Sequence, residues 1–445
     1  MRFKLKNLLP FLAMASIIIP ANALATNGYF LIGFGSKSRA MGGTGVAYNM
    51  DGMAAAYNPA TMIDSVNEFT VGAELFIPPR AIKHDSSFLG DTNERSTTDL
   101  FLIPSMGVTW KLNDKITVGG AFIGAGSQTE YEQNTKKVFN ILETEAANEA
   151  GVELIQMQMI PSIAYKINDT HSIGFSLVLA GQFFRAEGLE DFETAGFTAG
   201  GAGAGGLTGE GFSHSFGSGY RLGWTGKFLA DDRLTLGVNY SSRVWMDPFS
   251  RYTNLFAESG DFDIPENFAF GLAFKATKDL ALTFDFQRIN YSKVRSIGNP
   301  GPDASNPSEF FSLCPGADKS DCVLGGRLGL GFGWTDQLVY KVGADWKLNE
   351  KWNVRAGWNY GKSPILKEEV LFNFLAPATP EHHLTMGGSY IFNPEWIVDF
   401  SFVYAFLNTI TGPTAFGPTG AVVEGSNASI AMEQYSFGAA LKIRF

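Results

Sequence analysis

With only 2 cysteines and 5 histidines in 445 residues, the chain cannot be a small domain stapled by disulfides. Nor does any Cys/His spacing complete a zinc site. Cys314 and Cys322 lie in one irregular Pro- and Gly-rich stretch, where an oxidising compartment favours a loop disulfide. Charge is scarce too. Only 18% of residues are charged, and 34 basic against 44 acidic residues leave a net charge of −10, the wrong sign for a nucleic-acid surface. Beyond residue 25 no apolar run reaches the ~20 residues of a spanning helix, which argues against a helical membrane protein. No Gly-x-Ser-x-Gly elbow and no His-Glu-x-x-His occurs, and His84, His171, His214, His382 and His383 stand in no catalytic motif. The expectation is therefore no enzyme, no metal and no cofactor.

What is present starts at the N-terminus. Arg2, Lys4 and Lys6 precede an apolar stretch from Leu8 to Pro20 and the small-x-small site Ala23-Leu24-Ala25. This pattern predicts a signal peptide over residues 1–25. At the other end Tyr435, Phe437, Ala439, Leu441, Ile443 and Phe445 alternate with Gln434, Ser436, Gly438, Ala440, Lys442 and Arg444. A strand sends alternate side chains to opposite faces, so this segment carries one apolar wall and one polar wall.

The same rhythm recurs and predicts fourteen strands, at 69–77, 101–112, 116–124, 154–167, 172–183, 220–228, 234–241, 268–276, 280–289, 338–348, 352–360, 384–392, 396–405 and 435–445. Tight turns alternate with long connections, the longest covering 290–336. Short turns on one side, long loops on the other and an even strand number mark an outer-membrane barrel, and a soluble sandwich gives no reason for them. The fold class is all-β: a transmembrane antiparallel β-barrel of about 14 strands over residues 67–445, in contact with outer-membrane lipid. Its aromatic-ended last strand resembles the signal read by the barrel-assembly machinery. A general porin and a lipid-acting barrel enzyme are the alternatives. The 38 phenylalanines and an extra N-terminal segment argue against the first, the missing motifs against the second.

Between 26 and 66 the strand rhythm is absent and glycine is dense. Phe30, Leu31, Ile32, Met41, Met53 and Met62 are too apolar for a solvated tail, so something compact precedes the barrel. Gly124, Ala125 and Gly126 read equally as a bulge or as a strand end. Arg221 and Arg355 take polar-face parity and Arg185 follows the fifth strand. Each is a candidate ligand clamp or a member of an ordinary charge network. Phe183, Phe184, Phe197 and Leu207 form a candidate hydrophobic landing site.

The order of Asn58-Pro59-Ala60, Asp263-Ile264-Pro265-Glu266, Trp352-Asn353-Val354-Arg355-Ala356-Gly357-Trp358 with Ser363-Pro364, and Phe392-Asn393-Pro394 with Trp396 is similar to the FadL-type family. These are outer-membrane transporters of long-chain fatty acids and hydrocarbons. The resemblance implies a monomeric barrel with residues 26–66 folded inward as a plug that carries Arg39, Gly42 and Gly43 and is anchored at Asn58, Pro59 and Ala60. It also implies a side exit where the third strand kinks, near Gly124, Ala125 and Gly126, and passive uptake of a hydrophobic small molecule. One position departs from the pattern. Fatty-acid members carry a basic residue before the Asp in the turn into strand ten, and here Thr335 precedes Asp336, so a ligand carboxylate finds no cation there.

Overall fold

Alternation in the sequence becomes two unlike faces of one closed sheet. The computed structural model describes residues 27–85, 91–132, 139, 149–194, 196–301, 319–413 and 427–445. The expected signal peptide and Cys314 lie outside them. Among the described residues the strands are β1 (Glu68–Ile77), β2 (Arg80–Asp85), β3 (Thr92–Arg95), β4 (Phe101–Lys111), β5 (Ile116–Glu132), β6 (Glu149–Lys166), β7 (His171–Glu187), β8 (Ser213–Phe228) and β9 (Leu234–Ser241). They continue as β10 (Trp245–Met246), β11 (Asn267–Lys275), β12 (Leu280–Ile289), β13 (Gln337–Lys347), β14 (Trp352–Gly361), β15 (His382–Ile391), β16 (Trp396–Pro413) and β17 (Asn427–Arg444). Strands β2, β3 and β10 are short additions within connections read from sequence as loops. The other fourteen pair antiparallel with their neighbours, and β1 joins β17 to β4 to close the ring. Closure leaves the sheet with no edge strand, the condition for crossing a bilayer with strands.

The outer face carries Leu75, Trp110, Phe175, Leu222, Trp346, Phe400 and Phe437, all exposed, while Glu74, Arg221, Asp285, Lys341, Arg355 and Asp399 point inward and are buried. This inversion of a soluble protein is what lipid as solvent demands. No helix among the described residues is long and apolar enough to cross a membrane. Four of the tight turns share one chemistry. The side chains of Asn113, Asn168, Asn349 and Asn393 each accept the backbone N–H groups two and three residues on, at 2.8 to 3.0 Å. Each therefore folds its own turn without help from elsewhere.

Several strands outrun their sequence-based bounds. β5 does not stop at Gly124 but runs to Glu132, β7 continues through Arg185 to Glu187, and β17 begins at Asn427 rather than 435. In the outer portions of β5 and β6 both faces are covered, so the period of two fades; residues 150–156 of β6 are all buried.

Candidate functional site

The interior follows from the backbone needs of residues 27–66. This segment holds only short helical turns, at Gly35–Arg39, Asp51–Ala56 and Pro59–Asp64, so most of its N–H and C=O groups need partners from elsewhere. The inward polar side chains supply them. Asp285 accepts Gly45 N at 2.7 Å and Val46 N at 3.0 Å, Thr385 accepts Gly42 N at 2.8 Å, and Lys341 donates to the Ile32 carbonyl at 3.0 Å. Because its partners stand on the inward faces of many strands, the segment lies within the barrel.

Asn58 and Gly42 make close contacts with the wall. The Asn58 amide donates to the carbonyls of Val46 (2.8 Å), Trp224 (3.1 Å) and Val238 (3.3 Å), while its oxygen caps Ala60 N at 3.0 Å. Proline suits the first helical position that follows. A Cβ on Gly223 would overlap the Asn58 oxygen, so β8 needs glycine there. Gly42, at φ +69°, rests on β13 and β14, where a Cβ would lie 2.6 Å from the carbonyls of Val342 and Trp358. The next residue, Gly43, is also left-handed at φ +83°.

A belt of ion pairs ties the same segment to β1 and to the C-terminal strands. Arg39 pairs with Glu74, and Asp51 sits between Lys37 (3.1 Å) and Lys442 (2.9 Å). Lys442 also meets Asp399 at 2.9 Å, and Arg355 lies between Asp345 (3.1 Å) and Asp399 (3.4 Å). Arg355 is thus committed to the network. Arg221 is engaged as well, with Ser241 (3.1 Å), Gln158 (3.4 Å) and the Ala56 carbonyl.

One interruption opens the wall. β4 and β5 pair only as far as Ser105 opposite Ile123; the next pair would be Pro104 with Gly124, and proline has no N–H to give. From Gly124 to Thr129, β5 keeps its β6 partner but has no ladder partner on the β4 side. Contact resumes at Glu130, whose carbonyl accepts Thr97 N at 2.9 Å and whose carboxylate takes the hydroxyls of Thr97 (2.9 Å) and Thr98 (3.2 Å). A pocket of about 10 Å³ lined by Phe34, Glu74, Pro104, Ile123 and Gly124 backs the interruption.

Above the ion pairs the lumen turns apolar. A cavity of about 50 Å³ is walled by Leu154, Phe184, Phe256, Phe262, Trp334 and Met432, together with Tyr29 and Ser127. That is several times the ~10–15 Å³ that one water needs. Trp334 is fixed by its indole N–H on Asn373 at 2.6 Å, and Tyr29 packs against Phe262, Tyr291 and Trp334 with centroids 5.7 to 6.3 Å apart. Of the residues singled out from sequence, Phe184 lines this cavity. Phe183 points to the other face of β7, against His214, and Leu207 is fully buried, so the four apolar residues do not form one exposed landing patch. Arg185 pairs with Glu153 at 2.7 Å and covers Phe212, away from the cavity lining. Thr335 donates to the Pro364 carbonyl at 3.1 Å, and Asp336 meets Arg288 at 2.8 Å; both tie loops together. Cys322 holds no free thiol. Sequence reasoning missed Phe256, Phe262 and Trp334 because they come from irregular connections. The aromatic density of Phe249, Tyr252, Phe256 and Phe262 was the available signal.

A closed ring with a lipid-type outer face and an occupied lumen defines an outer-membrane β-barrel. The chain matches the family described as outer membrane protein transport protein (OMPP1/FadL/TodX) over residues 12–415, and it belongs to that family. It is accordingly a transport protein of the outer membrane and not an enzyme. The P. putida toluene transporter TodX shares the fold at a TM-score of 0.66 and 19% identity, over 94% of this chain and 99% of that one. A Pseudomonas aeruginosa FadL homologue does so at 0.67 and 14%, over 93% and 98%, and the Ralstonia pickettii toluene transporter TbuX at 0.62 and 18%, over 93% and 99%. An uncharacterized protein of Chlorobium limicola is 50% identical over 50 residues, 11% of this chain and 25% of its own, so the chain spans about a quarter of that curated relative.

Proposed function

We propose that the protein takes up hydrophobic small molecules, the class that includes long-chain fatty acids and monoaromatic hydrocarbons, by passive lateral diffusion. The observation that carries this reading is the apolar cavity set above a polar, filled lumen and beside an interrupted wall. An apolar molecule gains nothing from a water-filled pore; it needs an apolar pocket and a route into lipid. Solved relatives named as toluene transporters support the cargo class. In this reading residues 1–25 direct export and are removed, and the assembly machinery inserts a monomer. Residues 26–66 are then a plug whose rearrangement links the cavity to the exit at Gly124, Ala125 and Gly126. Neutral cargo fits better than a carboxylate, because no Lys, Arg or His among the described residues lines the cavity.

The test is uptake of labelled toluene and labelled long-chain fatty acid by cells that lack their own transporter. Wild-type protein raises uptake above background. In Gly124→Val the new side chain meets the Pro104 ring, from which even a Cβ would be only 3.4 Å, and fills the interruption. That variant keeps ligand binding but loses uptake. Normal uptake by a correctly folded Gly124→Val barrel would refute the side exit.

A further inference from the structure

Part of the cavity lining is locked and part of it can yield. Phe184, Phe256 and Phe262 pack ring on ring, with centroids 4.7 Å apart for the first two and 4.8 Å for the last two. Phe249 and Tyr252, both fully buried, stand against Phe184 at 5.4 and 4.9 Å. The Tyr252 hydroxyl donates to the Gly211 carbonyl at 2.7 Å and accepts Ala186 N at 3.1 Å, which ties this ring to β7 and to the connection that follows it. No ring of the group turns without breaking contacts with others, as close packing requires.

Elsewhere the lining includes Gly28, Ala376 and Ala378, which have no rotamer to change. Met432, on β17, is the one long unbranched side chain among the described lining residues. It is buried, and its only polar contact among the described residues is the Gln434 amide, 3.4 Å from a sulfur that accepts weakly. Such a side chain fills irregular gaps and adapts to its surroundings. The backbone at Met432 is irregular on both flanks. On one side β16 bulges, its register jumping from Ala405 opposite Gln434 to Asn408 opposite Met432. On the other, β17 exchanges β1 for β2, with Ile77 opposite Tyr435 and Arg80 opposite Met432. Bulges re-aim side chains and collect beside functional sites.

Volume sets the scale of the cargo. On the measure by which one water needs ~10–15 Å³, the cavity of about 50 Å³ has room for roughly three to five waters, or ~100–150 Å³ at ~30 Å³ of liquid each. An apolar cavity of ~150 Å³ takes one benzene ring. Resting on the transport reading above, we infer that the cavity is a site for a single aromatic ring and that the Met432 side chain sets its size limit. A ring with a methyl substituent packs on Phe184, Phe262 and Trp334, while a second fused ring needs the space that Met432 occupies.

Toluene and naphthalene are the probes. Labelled toluene is equilibrated by dialysis with the purified full-length protein and displaced by either compound unlabelled, with correction for partition into detergent. Each carbon that finds room strengthens binding about fourfold, so a cavity without a size limit would favour naphthalene, which has three more. The wild type should instead bind naphthalene at least about 10-fold more weakly than toluene, the cost of overpacking. Met432→Ala should bring naphthalene level with toluene or tighter, while toluene stays within about fivefold of the wild-type value. Met432→Leu nearly keeps the volume and should keep the limit. Ala378→Leu fills the cavity and should weaken toluene at least about 10-fold with no fall in the denaturation midpoint. Naphthalene bound as tightly as toluene by the wild type overturns the inference, as does a Met432→Ala protein that still excludes naphthalene. Either result leaves the transport reading standing as long as toluene binds, whereas no toluene binding by the wild type removes both.

Discussion

Asn58 binds the N-terminal segment, β8 and β9 at once through Val46, Trp224 and Val238. Asn58→Ala removes a three-way donor and the cap on Ala60 N, a loss of about 1–3 kcal/mol to the docking of the segment. Limited proteolysis of folded protein should then cut within 27–66 at lower urea than in the wild type, with the barrel itself still heat-modifiable on gels. Arg39 and Glu74 set a second, different test. Their side chains are 2% and 8% exposed, so removing one partner strands a buried charge at about 3–5 kcal/mol, while removing both does not. Glu74→Gln should therefore lower the denaturation midpoint more than the double variant Arg39→Met, Glu74→Met. Equal losses would mean that the pair is worth only its packing.

At the scale of elements, what was legible in sequence is what local chemistry decides. Alternation places the membrane portions of the fourteen strands, and the Asn-led turns between them fold on their own side chains, so strand order could be read from residue pattern alone. Above the membrane, β5 and β6 continue with both faces covered, and burial no longer alternates. The cavity was illegible for a related reason: Phe262 and Trp334 are brought together by long connections whose paths no periodicity records. Within one such connection Asp261 sits beside Asp263 and Glu258, with Arg243 and Arg295 as the facing cations. Burial, then repulsion from Asp263 and Glu258, pushes its carboxyl from 3.8 up to about 6. A folded-state value above the unfolded one means that the folded loop holds the proton more tightly. Its stabilising effect is complete below about pH 4 and lost as pH rises through about 6. Hydrogen exchange around 257–264 should accordingly slow as pH falls from 7 to 5, after correction for intrinsic rates. Asp261→Asn should abolish that dependence.

For the whole molecule the question is whether the barrel is a pore. Its inward face is as polar as a channel lining, with Glu74, Asp285, Lys341, Asp345, Arg355 and Asp399 all pointing inward. Those groups are spent on residues 27–66 and on one another, so the polarity serves an irregular chain rather than a column of water. Sequence parity could assign these residues to the lumen but could not say what they face, because the partner segment is remote in sequence and has no period of its own. A filled lumen predicts small and infrequent ion conductance in planar bilayers despite fourteen strands. Combining Asn58→Ala with Glu74→Gln unties the segment from both sides, at β8 and β9 and at β1, and should produce long conductance steps absent from the wild type. A large and steady conductance from the unmodified protein would mean that the segment leaves the lumen in a bilayer, and the hydrophobic cargo would then have no reason to travel sideways.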